Sequence, residues 1–199
     1  MGDTSLQSMT LLREQAEVMR PLAGNGCSLI PDPGQWQLHC GIQKLTQTES
    51  DPYGCGVACL AMVSGMSFAE ARAQFINIGL GIRRSHRAAF STSSREMHMA
   101  IASVGLLSDA KRWNGWDQFH GLGVLKVRDD WRGAFNKWHW VVAFRHPTLD
   151  LAIFDPHMAF PAFKHLLLED TYLPFSMYEP KGEWFQVEQR IPLLCSSAR

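Results

Sequence analysis

The hydrophobic pattern of this chain changes character near residue 120. Before that point the apolar positions mostly follow a helical spacing, and after it they form short runs rich in aromatic and β-branched residues. Helical segments that come first and strand segments that come second are typical of an α+β protein. The pattern therefore predicts helices, one of them buried on most sides, packed on an antiparallel sheet.

Three helices are predicted between residues 50 and 120. Residues 55–64 are apolar almost all round, which favours a helix buried on most sides, and Gly65 is placed to end it. Ser67 and Ser93 each begin a Ser-x-x-Glu capping box, a pattern that opens a helix. We expect the first of these two helices to continue to about residue 75 and the second to end near Gly105.

The region after residue 120 predicts strands. Two apolar runs flank the sequence His-Pro-Thr-Leu-Asp, so we expect them to pair as a hairpin with its loop at residues 145–150. A short helix is expected around residues 163–168. The predicted strands are 123–127, 138–144, 151–154 and 184–187.

The first quarter of the chain has a different organisation. Apolar residues at helical spacing predict a helix over residues 4–19, closed by Pro21. Residues 21–54 then hold several prolines and glycines, which indicates an irregular connecting segment. We divide the chain into an N-terminal arm, residues 1–44, and a catalytic-sized domain, residues 45–199.

Composition narrows the classes of function. The chain has 199 residues, 46% of them hydrophobic, and 19 basic residues balance 19 acidic ones. A balanced charge gives no field that attracts nucleic acid, so no nucleic-acid partner is predicted. The sequence contains no apolar run long enough to span a membrane and no secretory signal, so we expect no membrane partner. We expect the protein in the cytoplasm, or exported without a signal peptide.

The candidate chemistry begins at DPYGCGVACLAMVSG, residues 51–65. Cys55 stands between two glycines at the start of the predicted buried helix. Backbone N–H groups at a helix N-terminus favour a thiolate, and flanking glycines would leave the sulfur open to a substrate. The alternative is that Cys55 is only a small buried apolar residue, as many cysteines are.

A base and an orienting carboxylate could reach this cysteine from the predicted hairpin. His139 begins the first strand among large apolar residues, and Asp155 follows the second strand. Antiparallel pairing brings the start of one strand near the end of the next, so the two side chains can be neighbours. Taken singly, His139 could be a core histidine and Asp155 a turn residue before proline.

The order of these motifs resembles a known family. A glutamine, Cys-Gly-x-Ala-Cys-Leu-Ala-Met, Ser-x-x-Glu-Ala, His-x-Val-Val and Asp-Pro follow one another within residues 45–160. This order is similar to that of the bacteriocin-processing, double-glycine cysteine peptidases and their papain-like relatives. The resemblance implies a papain-like fold, with Cys55 as nucleophile, His139 as general base and Asp155 as orienting carboxylate. It implies an oxyanion-hole role for Gln47, with Gln43 as the weaker substitute.

The resemblance further implies a cysteine-dependent hydrolase that cleaves amide bonds in a protein or peptide substrate, without a cofactor. In this family the domain is often fused to a membrane transporter, of which this chain shows no part. The alternatives are a glutamine deamidase or acyl-transferase, including an effector delivered into another cell, and a non-catalytic binding module of the same fold.

Three other features have ordinary interpretations. Cys55 and Cys59 with later histidines could bind zinc, but no tight ligand spacing supports this, so no metal is predicted. The basic cluster at residues 82–87 is interpreted as a solvated loop, although it could select an acidic partner. The tryptophans of the second half are interpreted mainly as core.

Overall fold

The computed structural model describes residues 42–43, 45–46, 53–128, 138–146, 150–158, 161–164 and 175–188. All of them belong to the larger of two compact units, Pro33–Arg199. The predicted helix over residues 4–19 and nearly all of the predicted connecting segment lie outside the described residues. The division between arm and domain at residues 44 and 45 therefore stays a prediction.

The three helices predicted after residue 50 are confirmed. Gly65 ends the first of them in the left-handed conformation, with φ of 74°, and its N–H donates to Ala61 O at 2.9 Å. The two capping boxes are complete, because Ser67 and Ser93 each accept from the backbone of the glutamate three residues on, and each glutamate accepts in return. The helices are α1 (Cys55–Ser64), α2 (Phe68–Asn77) and α3 (Ser94–Ser103).

The described strands form one antiparallel sheet, in the spatial order β1-β6-β2-β3-β4-β5. The expected hairpin is β3 paired with β4, and its strands extend further into the predicted loop than the sequence indicated. Helices packed on this sheet confirm the α+β class. The strands are β1 (Ser108–Arg112), β2 (Gly121–Arg128), β3 (Trp138–His146), β4 (Asp150–Phe154), β5 (Ala162–Phe163) and β6 (Glu183–Val187).

Alternate residues of the sheet contribute to two separate apolar clusters. One cluster joins Val124 and Val142 to the buried sides of the three helices, including Leu60 and Ile101. The other contains the intervening strand residues, such as Val141, and a group of aromatic rings. Those rings are Trp113, Trp116, Phe119, Phe175, Tyr178 and Trp184. The interpretation of the tryptophans as core is confirmed for Trp140, which is buried, and in part for Trp113 and Trp116, which are partly buried against this cluster. It is wrong for Trp138, which is 40% exposed, and Trp131 lies outside the described residues.

Two features of the sheet differ from the sequence-based expectation. The prediction of a short helix around residues 163–168 is wrong for Phe163, because this residue belongs to β5 and pairs with Ala152 of β4. Pairing with an existing strand satisfies the backbone groups that a helical turn would otherwise satisfy. Strand β1 was not predicted, since its sequence Ser-Asp-Ala-Lys-Arg is polar and mostly exposed at the sheet edge.

The basic cluster at residues 82–87 is an exposed loop for the most part, as expected, but Arg84 has a structural role. Its guanidinium donates to the carbonyls of Leu80 at 2.8 Å and Ser91 at 2.6 Å, and it lies 3.2 Å from the Glu96 carboxylate. Arg87 also pairs with Glu96, at 3.3 Å. The loop is thereby attached to the N-terminal turn of α3.

Among the described helices, none is long and apolar enough to cross a bilayer.

Candidate active site

Cys55 is the first residue of α1 and is half-buried, whereas the seven residues after it are buried. The N-cap residue, Gly54, has no side chain that could cap this end of the helix. The first N–H groups of an α-helix have no acceptor within the helix and, with the helix dipole, favour an anion. Cys55 thus combines partial exposure with a position in the first turn of a helix.

The expectation that Gly56 keeps the sulfur open is not what the packing indicates. A Cβ at position 56 would lie 2.9 Å from Met97 Cε, 3.1 Å from Thr92 Oγ1 and 3.6 Å from Trp140 Cδ1. Gly56 is buried and lets α3 and β3 approach the first turn of α1. Its absent side chain therefore serves helix packing, and the consequence is that the start of β3 lies against the turn that carries Cys55.

His139 and Asp155 meet inside the protein, next to this turn. His139 Nε2 and Asp155 Oδ1 are 2.6 Å apart, and the two side chains are 2% and 0% exposed. The pairing of β3 with β4 ends at Val142 and Phe154, so His139 lies three residues before the last paired residue of β3 and Asp155 directly follows β4. The hairpin thus brings the two residues together just beyond its last paired residues.

Cys55 completes the group from the other side of the imidazole. Its side chain lies close enough to the imidazole to raise the pKa of His139, as a hydrogen-bond partner and through its charge. Because Nε2 is engaged by Asp155, Nδ1 is the ring nitrogen left for the thiol. The structure therefore brings together three of the four residues singled out in the sequence, and it does so with an imidazole between a thiol and a carboxylate.

The pKa of His139 follows from these neighbours. Burial by itself lowers the pKa of the imidazole, but the charge and hydrogen bond of Asp155, together with Cys55, outweigh burial and raise it from 6.5 to about 9. The ring is then protonated at neutral pH. Cys55 contributes to this rise in the His139 pKa both as a hydrogen-bond partner and through its charge.

Two further contacts on Asp155 had not been expected from the sequence. The backbone N–H of His157 donates to Oδ1 at 2.8 Å, and the buried Tyr178 hydroxyl donates to Oδ2 at 3.0 Å. The His157 ring also lies edge-on to the ring of His139, with centroids 4.2 Å apart. The Asp-Pro-His sequence could have indicated a turn that binds its own carboxylate. No local signal pointed to Tyr178, which comes from a distant part of the chain.

The remaining candidate residues are Gln47, Gln43 and Cys59. Gln47, the predicted oxyanion donor, lies outside the described residues, and Gln43 is described and exposed. Cys59 lies one turn after Cys55 and is fully buried in the core. Within the described ranges, no group of three or more His, Cys, Asp or Glu residues could hold a metal ion.

Comparison with known proteins finds a distant similarity among solved structures. No family model and no curated protein matches the chain. Among solved structures, the chain is similar to the peptidase domain of Streptococcus ComA, a bi-functional ABC transporter involved in a quorum-sensing pathway. Identity is 15%, the TM-score is 0.48, and the match covers 73% of this chain and 97% of that domain.

Proposed function

We propose that this protein is a cysteine peptidase that cleaves an amide bond with Cys55, His139 and Asp155. The observation that supports it best is the position of His139, whose buried ring is hydrogen-bonded to Asp155 at 2.6 Å and whose pKa is raised by the thiol at the start of α1. A core histidine would need partners, but it would not need a half-exposed cysteine at a helix N-terminus as one of them.

The proposed reaction follows from this arrangement. The Cys55 thiolate adds to the carbonyl carbon of the substrate amide, and the Cys55 backbone N–H, which belongs to the first turn of α1, is the proposed first donor to the developing oxyanion. Gln47 is the proposed second donor. The C–N bond then breaks, and His139 gives its Nδ1 proton to the leaving amine.

The second half of the reaction hydrolyses the acyl-enzyme and regenerates the free enzyme. The product of the first half is a thioester between the substrate acyl group and Cys55, with His139 now neutral. Neutral His139 accepts a proton from a water molecule, whose oxygen adds to the thioester carbon. The C–S bond breaks, the carboxylic acid leaves, and the thiolate and imidazolium are formed again. Asp155 keeps the ring in the tautomer and orientation that both halves require.

Labelling tests the nucleophile without knowledge of the substrate. We expect sub-stoichiometric iodoacetamide at neutral pH to alkylate Cys55 before the other four cysteines. Peptide mass spectrometry identifies the labelled site. Cys59→Ala is the matched control because Cys59 lies one turn away on the same helix, and this variant should keep the labelling of Cys55. Preferential labelling of another cysteine would contradict the assignment.

Cleavage tests the reaction itself. A complex mixture of peptides is incubated with the wild type and with Cys55→Ala, and new amino termini are counted by mass spectrometry while released ammonia is measured. We expect new amino termini with the wild type alone. Ammonia without new termini would indicate a glutamine deamidase instead, and full biological activity of a folded Cys55→Ala variant would indicate a binding module.

A further inference from the structure

Tyr178 connects the aromatic cluster behind the sheet with the buried carboxylate of the proposed site. It follows the short 3-10 helix Phe175–Met177. Its backbone N–H donates to Phe175 O at 3.1 Å. The ring is 4% exposed and packs in the apolar cluster that contains Val141 and Trp184. Its hydroxyl alone leaves this apolar environment and reaches Asp155 Oδ2 at 3.0 Å.

The two oxygens of Asp155 have different tasks. Oδ1 accepts from the His139 ring and from the His157 N–H, whereas Oδ2 accepts from Tyr178. A carboxylate with donors on one oxygen only can turn about its Cβ–Cγ bond. Donors on both oxygens fix its plane, and in a fully buried group they also replace the water that each oxygen has lost.

We propose that Tyr178 is a positioning residue, whose hydroxyl fixes the plane of the Asp155 carboxylate so that Oδ1 stays directed at His139 Nε2. The inference rests on the proposed function in one respect, namely that the orientation of His139 matters for the reactivity of Cys55. The hydroxyl acts through the carboxylate and the imidazole, and Tyr178 has no contact with the reacting atoms in this scheme.

Removal of the hydroxyl has two opposing effects on His139. The carboxylate loses a donor, which concentrates negative charge on it and would raise the pKa of the imidazole. The carboxylate can also turn, which weakens the bond to Nε2 and lowers that pKa towards 6.5. The bond to His139 is the shorter one, 2.6 Å against 3.0 Å, and depends on direction, so the second effect should dominate. Among the described residues, Cys55 and His157 are the other titratable neighbours of His139, and both are unchanged in the variant.

The experiment compares the full-length wild type with Tyr178→Phe, which keeps the ring and removes the hydroxyl. The first measurement is the NMR titration of the His139 ring nitrogens, and the second is the rate of Cys55 alkylation by iodoacetamide as a function of pH. We expect a His139 pKa clearly below that of the wild type, and a fall of roughly tenfold in kcat for peptide cleavage with little change in KM. Phe175→Leu, in the same aromatic cluster, is the control and should lower the melting temperature without moving the titration.

The outcomes separate the two proposals. An unchanged or raised His139 pKa in folded Tyr178→Phe overturns the positioning role. A lowered pKa in a protein whose wild type cleaves no peptide supports the positioning role and counts against the peptidase. Should Tyr178→Phe not fold, hydrogen exchange of the Tyr178 hydroxyl proton in the wild type tests the same contact. A proton held on Asp155 Oδ2 should exchange slowly with solvent, and a rapidly exchanging hydroxyl proton would overturn the inference.

Discussion

The helix end that carries Cys55 and the hairpin that carries His139 and Asp155 provide opposite environments. Cys55 is half-buried at an uncapped helix terminus, whereas the histidine and the aspartate are 3% and 0% exposed and surrounded by partners. A nucleophile has to meet the substrate. A base and its orienting carboxylate act most strongly where water is excluded, because charges interact more strongly there. The proposed site therefore combines a thiol that a substrate can reach with a histidine–aspartate pair that is buried.

Cys55→Ala removes the exposed half of this comparison and should have the largest effect. We expect complete loss of cleavage, because the covalent step has no other nucleophile. Stability should change little, since Cys55 lies at the rim of the core. Product counting by mass spectrometry and thermal unfolding check this prediction. Cleavage by Cys55→Ala at the wild-type rate would show that Cys55 takes no part in the reaction.

Asp155→Asn weakens the buried half. The amide keeps the size of the side chain but has no charge and can favour the wrong tautomer of His139. By analogy with other triads, we expect turnover to fall by about 10³ to 10⁴-fold. Kinetics at matched folded concentration measure the effect. Asp117→Asn is a suitable control because the Asp117 side chain is 93% exposed and distant in sequence. Equal rates for Asp155→Asn and the wild type would exclude Asp155 from the site.

The raised pKa of His139 predicts how the pair responds to pH. Burial lowers this pKa, but Asp155 and Cys55 raise it to about 9, above the unfolded value of 6.5. The stability that the pair contributes is therefore fully present below pH 6.5 and is lost as the pH rises through about 9. The melting temperature of the wild type should fall over this interval by more than that of Asp155→Asn. Parallel curves for the two proteins would argue against a charged His139–Asp155 pair.

Gly56→Ala tests the packing that joins the two halves. The new methyl group would lie 2.9 Å from Met97 Cε and 3.1 Å from Thr92 Oγ1, so at least the Met97 side chain must shift. We expect a loss of about 1–3 kcal/mol in the free energy of unfolding, measured by urea denaturation. Because the nearest atom is the end of a flexible side chain, Met97→Ala in the same protein should recover part of the loss of Gly56→Ala. Additive effects of the two changes would indicate that the contact is not the cause.

The sequence predicted those parts of the fold that depend on local pattern. The bounds of α1 follow from its apolar run and Gly65, and those of α2 and α3 follow from serine and glutamate side chains that bond to the nearby backbone. Strand β1 was missed because an edge strand with five polar or small residues has no alternating pattern. Phe163 was misplaced because its partner, Ala152, lies in another strand that a local pattern does not reveal.

The residue types and order of the candidate site were also visible in the sequence. Cys55 at the start of a helix, His139 at the start of a strand and Asp155 after the next strand are local facts, and a hairpin makes two of them neighbours. Their separations, their burial and the pKa of His139 were not visible, because each depends on atoms from several elements. The packing role of Gly56 likewise depends on Met97 and Trp140, which no motif connects to it.

By itself, then, the sequence determined where helices begin and end, which residues could carry the chemistry and which two strands bring His139 towards Asp155. Tertiary structure alone decided that the Tyr178 hydroxyl meets Asp155 Oδ2 and that Gly56 admits β3 against α1. The physical reason is range. Caps, turns and periodicity act over a few residues, whereas the partners of a buried charge come from wherever in the chain the folded core places a donor.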